Sequence, residues 1–194
     1  MKKISLILAL LVMAAAAYYF QRKPQVPQSK YPVLSLEVLR SIPYQDLEYA
    51  IVDHVSDLIG DDYQNEYKIV MDLPKEIRAV YITWGVDAEV NNGGFNQYFW
   101  NSSGQFGHEA IEGYELIGAR EHAALLREAV AIYEKEQARL NKYKEKGTVE
   151  AFSDSYKDNQ LNQLDDRFFK LEDAGAMRVR FIKEHLEAFQ SPET

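Results

Sequence analysis

Residues 89–104 read EVNNGGFNQYFWNSSG, a stretch that places two turn signals on either side of an aromatic cluster. Asn91-Asn92-Gly93-Gly94 tolerates positive φ angles, so we predict that the chain stops and redirects there. Ser102-Ser103-Gly104 repeats the turn signal about ten residues later. Between the two stops, the aromatic residues predict a short helix over 95–100 that is buried in a corner of the fold.

Outward from this stretch, apolar residues recur at three- and four-residue steps, which is the period of a buried helix face. Leu47, Ile51 and Val55 are typical of this pattern and predict a helix over 44–59. Further helices are predicted over 62–70, from 74 to the Asn-Asn-Gly-Gly stop, and over 107–117, 120–144, 149–156, 158–172 and 176–189. Clusters of Val, Ile and Thr bounded by turns are missing, so no strand is predicted. The predicted fold class is all-α, a single compact helical domain of about eight helices preceded by an N-terminal hydrophobic anchor helix.

Cap residues and charge runs predict where some helices begin and end. Asp61-Asp62 is expected to cap the helix that runs through Val70, and Thr148 to cap the helix from Val149. The charged segment 134–146 is expected to project into solvent.

The N-terminus is set apart from the rest of the chain. Met1-Lys2-Lys3 precedes seventeen apolar residues, 4–20, and Arg22-Lys23 closes the run. Residues 1–22 are therefore either a cleaved signal peptide or a retained transmembrane anchor. Residues 23–34 contain three prolines and predict a linker, and residues 35–190 form the all-α domain. In the usual orientation the domain is periplasmic or extracellular, either anchored through residues 4–20 or secreted after cleavage.

Charge and composition restrict the classes of partner. Without Lys2, Lys3, Arg22 and Lys23, the chain keeps 18 basic and 30 acidic residues, a net charge of −12. Direct nucleic-acid binding needs a basic surface, so the balance disfavours it and is compatible with a protein partner that has a basic surface. Cysteine is absent, which removes disulfides and thiolate chemistry.

For each sequence motif of metal binding or catalysis that this chain resembles in part, at least one essential residue is missing from the chain. His108-Glu109 begins like the helix of zinc proteases, but Glu112 stands where the second histidine is needed. The four histidines are scattered, and none lies in a nucleophile–base motif. The sequence therefore predicts a chain that is not an enzyme and has no catalytic residues, no metal site and no cofactor.

The motif segment, residues 89–104, has two interpretations. In the structural one, the glycines let two helices meet at a sharp angle, the aromatic residues fill the corner and the amides satisfy helix-end groups. In the functional one, the amides line a small polar pocket suited to a ligand or to a side chain of a partner. The candidate binding residues are Glu89, Asn91, Asn92, Gly93, Gly94, Phe95, Gln97, Tyr98 and Asn101.

The same segment resembles the DNA-mimic-protein domain family, most closely at Glu89, at 91–95, at 97–99 and at Asn101. The resemblance implies an all-helical domain that can form a homodimer. In the member that gives the family its name, it implies an acidic surface that imitates the phosphate backbone and occupies a DNA-binding regulator. Such a surface needs carboxylates on a rigid face. The candidates are Asp53, Asp57, Asp61 and Asp62 along one helix and its end, and Glu109, Glu112 and Glu115 on another.

Two functions follow from these observations. The first is a non-enzymatic protein-binding domain whose acidic face engages a basic partner protein. The alternative is an envelope-associated domain that binds a small ligand at the motif segment. Topology bears on the choice, because a DNA mimic has to meet its regulator in the cytoplasm.

Overall fold

A computed structural model describes residues 29–157 and 159–191 of the chain. Within these residues the fold consists of α-helices and short 3-10 turns, and none of them forms a β-strand. The α-helices of the described residues are α1 (Leu36–Ser41), α2 (Leu47–Ile59), α3 (Glu66–Met71), α4 (Lys75–Trp100), α5 (Gly107–Leu116), α6 (Arg120–Lys144), α7 (Val149–Ser155), α8 (Asn162–Phe168) and α9 (Ala174–Glu184). One hydrophobic core draws buried side chains from most of these helices. The predicted all-α class and single compact helical domain are therefore confirmed.

The predicted signal peptide or anchor, residues 1–22, lies outside the described residues, as does the first half of the proline-rich linker, residues 23–28. Both stay predictions. In the part of the chain that the structure describes, no helix combines the length and the apolar character that a membrane crossing requires.

Helix α2 forms as its apolar spacing predicts. Leu47, Ile51 and Val55 are at most 1% exposed and line the face that packs into the core. The helix begins after a 3-10 turn, Tyr44–Asp46. It ends at Gly60, whose φ of +54° is readily adopted only without a side chain. The face opposite the core carries charged and polar residues, as in an amphipathic surface helix.

Helix α4 is the central element and bends at the glycine elbow, Gly93-Gly94. Gly93 has φ −157° and ψ 29°, and Gly94 has φ 71° and ψ −178°, so neither residue is helical. The predicted redirection of the chain is confirmed, with helical backbone on both sides of the elbow. Phe95 and Tyr98, which follow it, are fully buried. The second predicted stop is the 3-10 turn Ser102–Phe106, which leads into α5.

Helices α5 and α6 pack against each other and against α4, and α7 packs against α6. The expectation that residues 134–146 project into solvent is wrong for part of the segment. Leu140 is only 3% exposed, and the Lys144 ammonium donates a hydrogen bond of 2.6 Å to the Phe99 carbonyl. The reason is that α7 folds back onto α6, so that one face of this charged helix is covered.

Helix caps follow the sequence at some ends and depart from it at others. Thr148 caps α7 as predicted, since its hydroxyl accepts a hydrogen bond from the Ala151 N–H at 3.1 Å. The predicted cap at Asp61-Asp62 is wrong, because a 3-10 turn, Tyr63–Asn65, separates these residues from α3. The Asp62 carboxylate instead accepts hydrogen bonds from the Asn65 amide at 2.9 and 3.0 Å.

A buried ion cluster joins four helices. Arg178 on α9 is 2% exposed and donates to Glu48 on α2 at 2.9 Å and to Asp87 on α4 at 2.7 Å. The Tyr114 hydroxyl on α5 donates to the same Asp87 carboxylate at 2.5 Å. Burial raises the pKa of Glu48, and the facing guanidinium opposes that rise. Removal of Arg178 would leave two carboxylates without a cation in the core, and removal of both carboxylates would leave the guanidinium without an anion. The cluster therefore fixes how these helices pack.

Candidate functional site

Asp165 secures the glycine elbow from the opposite side of the fold. Its carboxylate accepts a hydrogen bond of 2.9 Å from the N–H of Phe95, the first residue after the elbow. The carboxylate lies so close that a Cβ atom on Gly94 would be 2.3 Å from Asp165 Oδ2. Gly94 is therefore required both by its positive φ and by the approach of this side chain. Burial raises the pKa of Asp165, and the hydrogen bond from Phe95 opposes the shift.

Further polar contacts attach the segment after α6 to the elbow. The Tyr156 hydroxyl donates to the Gly93 carbonyl at 2.7 Å. The Asn96 amide donates to the Ser155 hydroxyl at 2.8 Å, and the Asn159 amide donates to the Asn96 side-chain oxygen. Asn96, Ser155 and Asn159 are all at most 5% exposed. Sequence reasoning missed these partners, because no local pattern indicates a contact across about sixty residues of chain.

Glu89 gathers two of the predicted motif amides. Its Oε2 accepts hydrogen bonds from Gln97 Nε2 at 2.7 Å and from Asn101 Nδ2 at 2.8 Å. The three side chains bridge the bend from the first part of α4 to its end. In the structural interpretation of the motif these amides satisfy helix-end backbone groups, whereas Gln97 and Asn101 donate to a carboxylate instead.

The remaining motif residues do not converge on a pocket. Asn91 Nδ2 donates to the Asp87 carbonyl of its own helix at 2.8 Å, and Asn92 is exposed. Phe95 and Tyr98 are fully buried, and Phe95 packs edge-on against Phe168 with ring centroids 5.7 Å apart. Three of the nine predicted binding residues, Gly94, Phe95 and Tyr98, are thus buried in a corner of the core.

An open groove borders the C-terminal end of the motif. It has a volume of about 630 Å³ and is lined by motif residues Gln97 and Asn101, by Trp100, and by Lys144 and Phe152 from α6 and α7. The rings of Trp100 and Phe152 meet edge-on, with centroids 5.0 Å apart. We refer to this feature as the Lys144 groove. Among the described residues, no cluster of His, Asp or Glu has the arrangement needed to hold a metal ion.

The first acidic set forms an exposed row along α2. Asp53 and Asp57 lie one turn apart on the face of α2 that points away from the core, and Asp61 and Asp62 follow directly after the helix; all four are exposed. We refer to these four residues as the acidic row. Burial, with a further contribution from the negative charge of Asp57, raises the pKa of Asp53.

The second acidic set lies among basic and hydrogen-bonding side chains. Glu115 pairs with Arg127 at 2.6 Å, and Glu109 accepts a hydrogen bond of 2.5 Å from the Tyr67 hydroxyl. Glu109 and Glu112 also line a small groove of about 230 Å³ together with Lys75 and Arg78. The neighbouring cations offset part of this negative charge.

The fold and the candidate sites define a class of protein: an acidic, all-helical domain built around a glycine elbow in its central helix. The chain belongs to the DMP19-like protein family, whose model matches residues 71–185. The family takes its name from DNA mimic protein 19 and is not a known enzyme family. No curated protein and no solved structure matches the chain. The match includes the motif segment and the Lys144 groove, whereas the acidic row lies before it.

Proposed function

We propose that the chain binds a basic protein through the acidic row and that it does so without catalysis. The observation that carries this proposal is the exposure of four carboxylates, Asp53, Asp57, Asp61 and Asp62, along one side of α2 and its end. Membership of the DMP19-like family supports a basic protein as the partner. The choice of the acidic row, which lies before the residues that the family model matches, rests on the exposure of its carboxylates. An acidic surface of this kind draws a basic partner in and fixes its orientation.

The spacing of the row supports an electrostatic role of moderate strength. Four residues of α-helix advance by about 6 Å, so Asp53 and Asp57 present about one charge per 6 Å. One strand of B-DNA carries one charge per ~3.4 Å of axis, so the row has roughly half of that density. The exposed ring of Tyr49, one turn before Asp53, adds the aromatic contact that protein interfaces favour.

A competition experiment tests the proposal. The probe is HU, a small basic protein that binds the DNA minor groove, carrying a fluorescent DNA duplex; it stands in for the basic partner in either compartment. We expect the full chain to release the duplex, as measured by fluorescence anisotropy. The triple variant Asp53→Asn, Asp57→Asn, Asp61→Asn should release at least about tenfold less DNA at equal concentration, since each lost charge removes part of the attraction.

The matched control is the triple variant Glu109→Gln, Glu112→Gln, Glu115→Gln. It removes the same number of negative charges from α5, so a response to net charge alone would affect both variants equally. We expect the α5 variant to compete nearly as well as the unchanged chain. The proposal fails if the full chain does not release DNA or if the two variants lose activity to the same extent.

The compartment of the domain determines which basic protein is the partner. We propose that residues 4–20 attach the chain to a membrane and that the domain lies outside the cytoplasm, because the apolar run and its flanking charges are typical of such segments. A reporter that is active only outside the cytoplasm, fused after Thr194, tests this. Activity would indicate a basic envelope protein as partner, and its absence would indicate a cytoplasmic DNA-binding protein. Homodimer formation, which the sequence resemblance implies, stays a prediction.

A further inference from the structure

We propose that the Lys144 groove is a binding site for a small organic acid with a flat apolar body, such as an aromatic carboxylate. This site is separate from the acidic row and of opposite charge. The proposal gives a chemical class to the ligand that the sequence-based alternative placed at the motif segment. It does not depend on the proposed binding of a basic protein.

The size and the walls of the groove suit a small aromatic ligand. Its volume of about 630 Å³ lies within the range of small-molecule sites. Trp100 and Phe152 supply the apolar wall, and both side chains remain partly exposed to the groove. Aromatic side chains that meet edge-on offer a ring face to a planar ligand.

Lys144 determines the charge of the ligand. The side chain is half-buried, and its ammonium donates to the Phe99 carbonyl at 2.6 Å. An ammonium has three N–H donors, so this contact leaves donors available toward the groove. Burial lowers the pKa of Lys144, and within the described residues no carboxylate pairs with it. A half-buried cation without a counter-ion is stabilised by an anion that binds beside it.

The carboxylate of the motif segment, Glu89, forms no ion pair with Lys144 within the described residues. Its Oε2 accepts hydrogen bonds from the Gln97 and Asn101 amides at 2.7 and 2.8 Å. These two amides also line the groove, so Glu89 orients part of its wall. Lys144 thus remains the charged donor of the groove, with amides and aromatic rings around it.

Fluorine NMR of the full chain labelled with 5-fluorotryptophan offers a site-specific test. The chain has two tryptophans: Trp100 lines the groove, whereas Trp84 lies in the first part of α4 and serves as an internal reference. A Trp100→Phe variant assigns the resonances. The probes are 2-naphthoate, which has the proposed chemistry, and 2-naphthamide, its neutral counterpart of nearly equal shape.

We expect 2-naphthoate to shift the Trp100 resonance saturably, with a dissociation constant on the order of 1 mM for a ligand of this size. The neutral amide should bind about tenfold more weakly, because it makes no ion pair with Lys144. The Trp84 resonance should stay in place throughout the titration.

Variants at two lysines of the same helix decide the matter. Lys144→Met should weaken naphthoate binding about tenfold and abolish the preference for the acid over the amide. Lys144→Arg, which keeps the charge, should retain that preference. Lys142→Met removes an exposed charge two residues away and should bind like the unchanged chain. The inference is overturned if Trp100 shows no saturable shift, if acid and amide bind equally, or if Lys144→Met keeps the preference for the acid.

Discussion

Replacing Gly94 with Ala tests directly how the glycine elbow is built. The backbone of Gly94 has φ 71° and ψ −178°. This region is essentially restricted to glycine, so alanine would introduce on the order of 1–3 kcal/mol of strain. The new Cβ would also lie 2.3 Å from Asp165 Oδ2 and 2.7 Å from Asp165 Cγ. Asp165 would have to move and would lose its hydrogen bond to the Phe95 N–H. A hydrogen bond to a charged group contributes about 1.5–3 kcal/mol.

Together these effects predict that Gly94→Ala lowers the free energy of unfolding by about 2.5–6 kcal/mol, a large share of the stability of an ordinary domain. Two glycines serve as matched controls. Gly118 has φ +87° and open space around it. Gly118→Ala should therefore cost only the backbone strain, about 1–2 kcal/mol. Gly85 lies inside α4, and beyond its chain neighbours and the adjacent helix backbone no atom of the described residues lies within 4 Å of an added Cβ. Gly85→Ala should be neutral or slightly stabilising, because alanine suits a helix interior better than glycine does.

Urea unfolding followed by circular dichroism measures these differences in the free energy of unfolding. A double-mutant cycle isolates the steric clash between the new Cβ at position 94 and the Asp165 carboxylate. In an Asp165→Ala background the obstacle is absent, so Gly94→Ala should cost about as much as Gly118→Ala. The reasoning is refuted if Gly94→Ala costs no more than Gly118→Ala in the unchanged chain. It is also refuted if the full cost persists when Asp165 is alanine.

Three further changes probe the rest of the fold. Arg178→Ala leaves Glu48 and Asp87 without their cation. In urea unfolding it should cost about 3–5 kcal/mol, whereas Arg180→Ala, at an exposed site on the same helix, should change stability by no more than about 0.5 kcal/mol. Gly104→Ala places a Cβ 2.7 Å from the Phe99 Cα. That overpacking should cost about 1–3 kcal/mol, and an unchanged unfolding midpoint would contradict the contact. Burial lowers the pKa of His122. Below the ordinary histidine pKa, His122 therefore takes up a proton in the unfolded state but not in the folded state. As the pH decreases, this difference lowers the free energy of unfolding by at most about 1.4 kcal/mol per pH unit. His122→Gln should flatten the measured pH dependence between pH 7 and 5 relative to the unchanged chain, and an identical slope would show that His122 does not titrate as described.

The features that sequence reasoning predicted are those encoded over a few residues. The apolar spacing of Leu47, Ile51 and Val55 produces α2, because three- and four-residue steps fall on one helix face. The glycines at 93 and 94 lie at the bend, and Gly94 adopts a φ of 71°, which residues with a side chain rarely adopt. Thr148 caps α7 through a contact three residues away.

The features that it missed depend on contacts between distant residues. Asp165 lies 70 positions after Phe95, and no local pattern announces that its carboxylate caps the helix after the elbow. Lys144 belongs to a charged segment that is typical of a solvated face, and only the fold brings it to the Phe99 carbonyl. From the sequence alone, Arg178 is likewise typical of a surface residue. It is buried only because α2, α4 and α9 pack around it.

The positions of the acidic residues can be read from the sequence, but the basic residues that lie beside them in the fold cannot. The sequence identifies both acidic sets, but it does not reveal which carboxylates the fold places beside basic side chains. The contact between Glu115 and Arg127 spans a helix connection, and the proximity of Glu112 to Arg78 arises from the packing of α5 against α4. The cations beside the glutamates of α5 therefore count against these glutamates as the docking face.

The salt dependence of binding to HU tests the central claim most directly. Affinities of the unchanged chain and of the two triple variants are measured by anisotropy over a series of salt concentrations. If the acidic row is the docking face, the affinity of the unchanged chain falls steeply as salt rises, because exposed charges are screened. The variant with Asp53, Asp57 and Asp61 changed to Asn then binds weakly with a shallow dependence, and the α5 variant follows the unchanged chain. Equal salt dependence for the unchanged chain and the Asp53, Asp57 and Asp61 variant would contradict the claim.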